Sequence, residues 1–196
     1  MNGAATRPLP IFPLETVLFP GALLPLKIFE QRYLDMTKAC IRDGTPFGVC
    51  RIREGREVGA PAVPEPVGCS AHIAHWEMPH PGMFLLQARG EKAFRILRHA
   101  VQPGDLIGAD VEFLEDHPGT ADPQAMALCR RLLEQVAVKL GSDYFPAPHA
   151  FDDARWVGYR LAEVLPLDTL RKQALLEERD DGARLRRLHD YLREAG

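Results

Sequence analysis

Residues 9–36 read LPIFPLETVLFPGALLPLKIFEQRYLDM, and the change of texture inside this stretch decides the fold. Pro10, Pro13, Pro20 and Pro25 cut 9–30 into short extended pieces, because each fixes φ and removes a backbone donor. Phe19-Pro20-Gly21 reads as a turn between apolar runs, and Leu24–Phe29 as a strand. From Glu30 to Arg42 the period lengthens. Tyr33, Leu34, Thr37, Cys40 and Ile41 follow three- and four-residue steps, and Gly44 stands where a helix C-cap belongs.

Outward from this stretch the β texture continues. Strands are expected at Phe47–Ile52, Cys69–Glu77, Met83–Arg89 and Phe94–Ala100, and Asp110–Phe113 alternates polar and apolar like a half-buried antiparallel strand. Residues 54–68, EGREVGAPAVPEPVG, hold three prolines and three glycines and read as one long loop. At Pro118-Gly119 the texture shifts to helix. Asp122-Pro123 is an N-cap followed by proline at the first helical position, and Leu128, Leu132, Val136 and Leu140 recur every four residues until Gly141. Asp152 or Asp153, Asp168 and Asp181 open three more helices, the last with Leu185, Leu188 and Leu192 on one face. The fold class expected is α+β: about six strands with one early helix, then a C-terminal bundle of three to four helices. The boundary is placed between a β-rich domain, 1–118, and a helical subdomain, 119–196.

Composition and motifs narrow the chemistry. The 196 residues carry 24 Lys and Arg against 27 Asp and Glu, a net charge of −3 that disfavours nucleic-acid binding by bulk charge. No apolar run approaches a bilayer span, and MNGAATRPLP lacks the apolar stretch of a secretory signal, so a cytoplasmic protein with no membrane partner is expected. Cys40, Cys50, Cys69 and Cys129 form no C-x-x-C and are expected as free buried thiols. None of the five lysines precedes Ser or Thr, which excludes a Walker loop, and G-x-G-x-x-G is absent. Ser70 and Ser142 are the only serines, and neither sits in a nucleophile elbow. Cys69, His72, His75 and His80 crowd together, but strand alternation separates His72 from Cys69 and His75, so no metal is expected. The basic run RLRRLHDYLRE near the C-terminus is balanced by acids and reads as solvated helix faces. No catalytic residue and no cofactor emerge.

One resemblance goes further. Pro13-Leu14, Leu18-Phe19-Pro20-Gly21, Leu24-Pro25-Leu26 and Ile28-Phe29-Glu30-x-Arg32-Tyr33 resemble, in order, the opening signature of the Lon protease N-terminal (substrate-binding) domain family. FGVCRIREGREVG at 47–59, VGCSAHIAHWEM at 67–78, FLLQARGEKAFRIL at 84–97 and the helical tail extend the likeness over nearly the whole chain. The resemblance implies a PUA-like β pseudo-barrel with an appended helical bundle. The tail resembles the helical end of stand-alone bacterial members, so a chain without the AAA+ ATPase and peptidase modules is expected. The resemblance also implies a non-enzymatic module that binds an unfolded or a specific polypeptide partner, with RNA binding through the PUA-like fold as the alternative and homo-oligomerisation left open. Phe12, Leu14, Leu18, Phe19, Leu24, Leu26 and Phe29 are the expected core of the signature. Glu30, Arg32, Tyr33, Trp76, Phe84 and Arg89 are the candidate binding residues. For Glu30, Arg32 and Tyr33 a structural ion pair at the helix start is the competing role.

Overall fold

The computed structural model describes residues 6–142, 144, 145 and 147–194. The chain forms two compact units, Met1–Leu114 and Glu115–Gly196.

Among its described residues the first unit holds six strands and one helix: β1 (Arg7–Leu14), β2 (Leu23–Ile28), α1 (Gln31–Asp43), β3 (Phe47–Glu54), β4 (Val63–His80), β5 (Met83–Val101) and β6 (Ile107–Phe113). Five of the strands close on themselves. β1 runs parallel to β3, β3 antiparallel to β4, β4 to β5, β5 to β6, and β6 back to β1. Closure removes sheet edges. It is possible because β5 is 19 residues long. Its second half pairs with β6 while its first half, Phe84–Arg89, pairs with β2. Among the described residues β2 pairs with no other strand, so it is an edge strand laid beside the β4–β5 hairpin.

Inside the barrel, alternate residues from four strands meet: Leu9 and Ile11, Cys50, Phe94, and Ile107, Ala109 and Val111. The Phe94 ring fills the centre because its neighbours are glycines. A Cβ on Gly48 would lie 2.7 Å from Phe94 Cζ, and one on Gly68 2.8 Å from the same atom. Contacts that close cannot be relieved in a packed interior.

Two long strands replace several short ones. Residues 63–68 belong to β4 and not to a loop, so only the segment between Glu54 and Val63 connects β3 to β4. Pro64 and Pro66 are tolerated because the β3–β4 register shifts beside them, between Cys50 and Ile52 and again before Glu54. The two expected strands 83–89 and 94–100 are likewise one. Gly90 carries β5 through where a Cβ would lie 2.3 Å from the Phe19 carbonyl oxygen.

α1 keeps the expected limits. Glu30 is its N-cap, and Gly44, at φ 62°, closes it by donating its N–H to the Cys40 carbonyl. Phe12, Leu14, Leu18 and Phe19 are buried as expected. Phe29 is not: it is 53% exposed, while Ile28 beside it is buried, because alternation at the end of β2 turns only one of the pair inward. Leu24 and Leu26 are half-buried.

The second unit contains α2 (Pro123–Leu140), α3 (Ala154–Val164), α4 (Thr169–Glu177) and α5 (Asp181–Glu194). Asp122, Asp153 and Asp168 each accept a hydrogen bond from a first-turn N–H, which is why the helices start there. The buried stripe of α2 is Ala125, Cys129, Leu133 and Ala137, one residue out of phase with the expected leucine stripe. Leu128 and Leu140 are exposed, since the inward face takes small side chains that bring the helices close.

The C-terminal charges are a further correction. Arg184 is fully buried, not solvated. Its Nη1 donates to Asp181 Oδ1 at 2.6 Å, and its Nη2 to Asp116 Oδ1 at 3.1 Å and Tyr159 Oη at 3.1 Å. Tyr159 donates to Asp116 at 2.9 Å, and Arg179 pairs with the same carboxylate at 3.0 Å. Arg184 also lies over the Tyr159 ring, 4.0 Å from its centroid. The cations are thus neutralised by acids and donate also to neutral acceptors such as the Tyr159 hydroxyl oxygen, the condition under which charge can be buried.

Candidate functional site

β2, α1 and the β3–β4 connection meet around a cleft of about 350 Å³. Phe12 and Leu14 of β1 and Leu24 and Leu26 of β2 give it apolar walls. Tyr33 enters from the first turn of α1, its ring 4.1 Å from that of Phe12. Glu30, Glu57, Val58 and the exposed Phe29 complete the rim.

The two carboxylates differ. Glu30 is paired: Arg32 Nη2 donates to its Oε2 at 2.9 Å, and the Arg32 side chain is only 5% exposed. The same guanidinium lies 4.6 Å from the Tyr33 centroid. Glu57 has no cationic partner among the described residues. It accepts one neutral hydrogen bond, from the Glu15 N–H at 2.6 Å. Burial pushes the Tyr33 phenol up, Arg32 opposes this, and Glu30 and Glu57 reinforce it. The hydroxyl therefore stays a donor at neutral pH, and it makes no hydrogen bond among the described residues.

Of the six candidates, Glu30, Arg32 and Tyr33 come together at this cleft. Trp76 and Phe84 form a second group on the β4–β5 hairpin, with ring centroids 5.8 Å apart in an edge-on arrangement. Phe84 is buried and Trp76 is 45% exposed. Trp76 stands in register with Leu86, and Leu86 with Leu26, so one row of side chains runs from the cleft wall to the tryptophan. Arg89 stands apart. It is in register with Leu23 and His72, on the opposite face of the strand from Phe84 and Leu86. Glu57 and Val58 have no counterpart among the sequence candidates.

Other residues singled out by the sequence have structural roles. Ser70 is buried, and its hydroxyl bonds both the N–H and the carbonyl of Lys92 at 3.2 Å. Cys69 is buried, while His72 lies 3.4 Å from Glu91 and His75 3.3 Å from Glu77. Among the described residues no three His, Cys, Asp or Glu side chains group as metal ligands would. All four cysteines are buried and none forms a disulfide among the described residues. No described helix is long and apolar enough to cross a membrane. A second concavity, about 570 Å³, lies on the outer barrel wall and is lined by Arg98, His99, Gln102 and Asp110 with Pro8 and Pro10. The Arg98–Asp110 ion pair at 2.7 Å lies within this lining.

The first unit is thus a barrel closed by a divided β5 with β2 at its edge, and a helical unit follows it in the chain. Residues 8–194 match the family model described as the ATP-dependent protease La (LON) substrate-binding domain, and the chain belongs to that family. The crystal structure of the Lon N-terminal domain protein from Xanthomonas campestris is similar at a TM-score of 0.78 and 35% identity, covering 94% of this chain and 98% of that one. The N-terminal domain of the Mycobacterium avium complex Lon protease shares the fold, with a TM-score of 0.71 at 19% identity over 96% of this chain and 99% of that one. Lon protease 2 of Herpetosiphon aurantiacus is 29% identical over 196 residues, 96% of this chain and 24% of that protein. Lon protease 2 of Myxococcus xanthus is 27% identical over 195 residues, 94% of this chain and 23% of that protein. The chain thus spans about a quarter of the length of these curated relatives.

Proposed function

We propose that the chain is a non-enzymatic polypeptide-binding module and that the cleft beside β2 receives apolar side chains of an extended segment. The observation that carries this reading is an apolar cleft of about 350 Å³ against a strand whose second edge is unpaired among the described residues. Unpaired edges offer backbone pairing, and alternate side chains of an added segment then reach the same face. Pro25 sets a limit. It supplies a carbonyl but no N–H, so a continuous ladder along β2 is interrupted at its middle. Side-chain capture by Phe12, Leu14, Leu24 and Leu26 therefore supplies most of the affinity, with backbone pairing secondary.

The test is fluorescence anisotropy of a labelled, permanently unfolded protein across a salt series. Saturable binding that survives moderate salt is expected, since apolar burial is not screened. Leu26→Asp should weaken it at least tenfold, and Leu97→Asp, at an exposed apolar position outside the cleft, should not. Equal loss in both variants would overturn the assignment. A steep fall with salt and displacement by RNA would overturn it in favour of nucleic-acid binding.

A further inference from the structure

The cleft has apolar walls but an unbalanced rim, and this points to a narrower class of ligand. Glu30 is neutralised by Arg32 at 2.9 Å. Glu57 is half-buried, with a single neutral backbone N–H as its partner. Lys27, the cation among the lining residues, is exposed and makes no ion pair with either carboxylate. A partly desolvated carboxylate without a counter-charge is unfavourable, and a ligand cation beside it relieves that cost. Tyr33 lines the same cleft as both carboxylates and adds an unused hydroxyl donor there.

Resting on the polypeptide-binding reading above, we propose that the preferred ligand is a polypeptide segment in which Lys or Arg flanks a large apolar residue. The apolar side chain lies between Phe12, Leu14, Leu24 and Leu26. The flanking cation lies against Glu57, and the Tyr33 hydroxyl donates to a backbone carbonyl of the segment. Selectivity then has an attractive and a repulsive side, since an acidic residue in the flanking position meets Glu57 directly. Glu57 belongs to the connection between β3 and β4, so the walls and the selective charge come from different elements.

The experiment compares three labelled peptides with one apolar centre and a flanking Lys, Gln or Glu. They are titrated against the full chain and against Glu57→Gln, which keeps an acceptor for the Glu15 N–H. The chain should bind the Lys peptide about fivefold more tightly than the Gln peptide at low salt, a difference of about 1 kcal/mol. The Glu peptide should bind most weakly, and the spread should narrow as salt rises. In Glu57→Gln the Lys-to-Gln ratio should fall to about one. Asp43→Asn, at the far end of α1, should keep it. Equal binding of all three peptides by the unmodified chain would overturn this inference and leave the apolar cleft standing, as would a Lys preference that persists in Glu57→Gln. Failure of all three to bind would overturn the polypeptide-binding reading itself.

Discussion

Arg32 reaches back two residues to Glu30, placing Nη2 2.9 Å from Oε2, and in the same conformation covers the Tyr33 ring at 4.6 Å. One buried guanidinium thus ties the N-cap of α1 to the side chain that lines the cleft. The ion pair and the ring contact sit at the start of α1, where Glu30 and Tyr33 also line the cleft.

Removing this tie should cost stability. Arg32→Ala leaves the Glu30 carboxylate unpaired and Tyr33 uncovered, and about 2 kcal/mol is expected from urea unfolding. Arg32→Lys should recover less than half of that, because an ammonium has no flat face for the ring and no fork for the carboxylate. Full recovery by lysine would show that charge alone matters there.

The second unit has a more deeply buried tie. Arg184→Ala would leave Asp116 and Asp181 facing each other's vacated partner in a site where Arg184 was fully enclosed. Breaking a buried pair from one side costs about 3–5 kcal/mol. Arg155 and Arg179 remain near these acids, at 3.2 Å from Asp181 and 3.0 Å from Asp116, which places the expected loss at the lower end. Chemical denaturation followed by helix content measures it.

Glu163 should give the second unit a pH signature. Burial raises its pKa above the ordinary 4.5, with Arg160, Lys172 and Tyr144 opposing. The folded state then holds the proton more tightly than the unfolded chain. The stability this contributes is complete below pH 4.5 and lost as pH rises through the folded pKa. Glu163→Gln cannot titrate. Its unfolding free energy relative to the unmodified chain should therefore rise with pH across that window, and a flat difference would contradict the assignment.

The thiols should be inert while the chain is folded. Burial pushes Cys129 up to about 12 and Cys50 beyond the ordinary thiol range. At pH 8 almost no thiolate is present, and the thiolate is the reactive form. Mass spectrometry after alkylation at pH 8 should find both unmodified in the native chain and both modified in denaturant.

The sequence was most informative where one residue does one local job. Asp122, Asp168 and Gly44 mark helix ends because their side chains or αL geometry satisfy backbone groups within a single turn. It misled where tertiary context overrides local preference. Pro64 and Pro66 look like loop residues, yet a register shift in the neighbouring strand accommodates them. Gly90 looks like a break, yet β5 runs straight through it because the Phe19 backbone needs the space. Leucine counting misphased α2, since close helix packing favours Ala125, Cys129 and Ala137 on the buried side. Near the cleft, Glu30, Arg32 and Tyr33 stand out in the sequence because Ile28-Phe29-Glu30-x-Arg32-Tyr33 resembles the family signature and they are adjacent in the chain. Glu57 does not: it lies 24 or more residues from each of them, in a stretch with no periodic signal, and only the folded barrel brings it to the rim.

The central claim is that polypeptide is held at the cleft beside β2, and amide hydrogen exchange tests it most directly. The chain would be compared with and without a saturating, permanently unfolded polypeptide. Added protection is expected in peptides covering residues 23–33 and 55–59, with little change on the outer barrel wall at 98–110 or in the helical unit. Protection confined to those other regions, or no protection under conditions where anisotropy reports binding, would contradict the account.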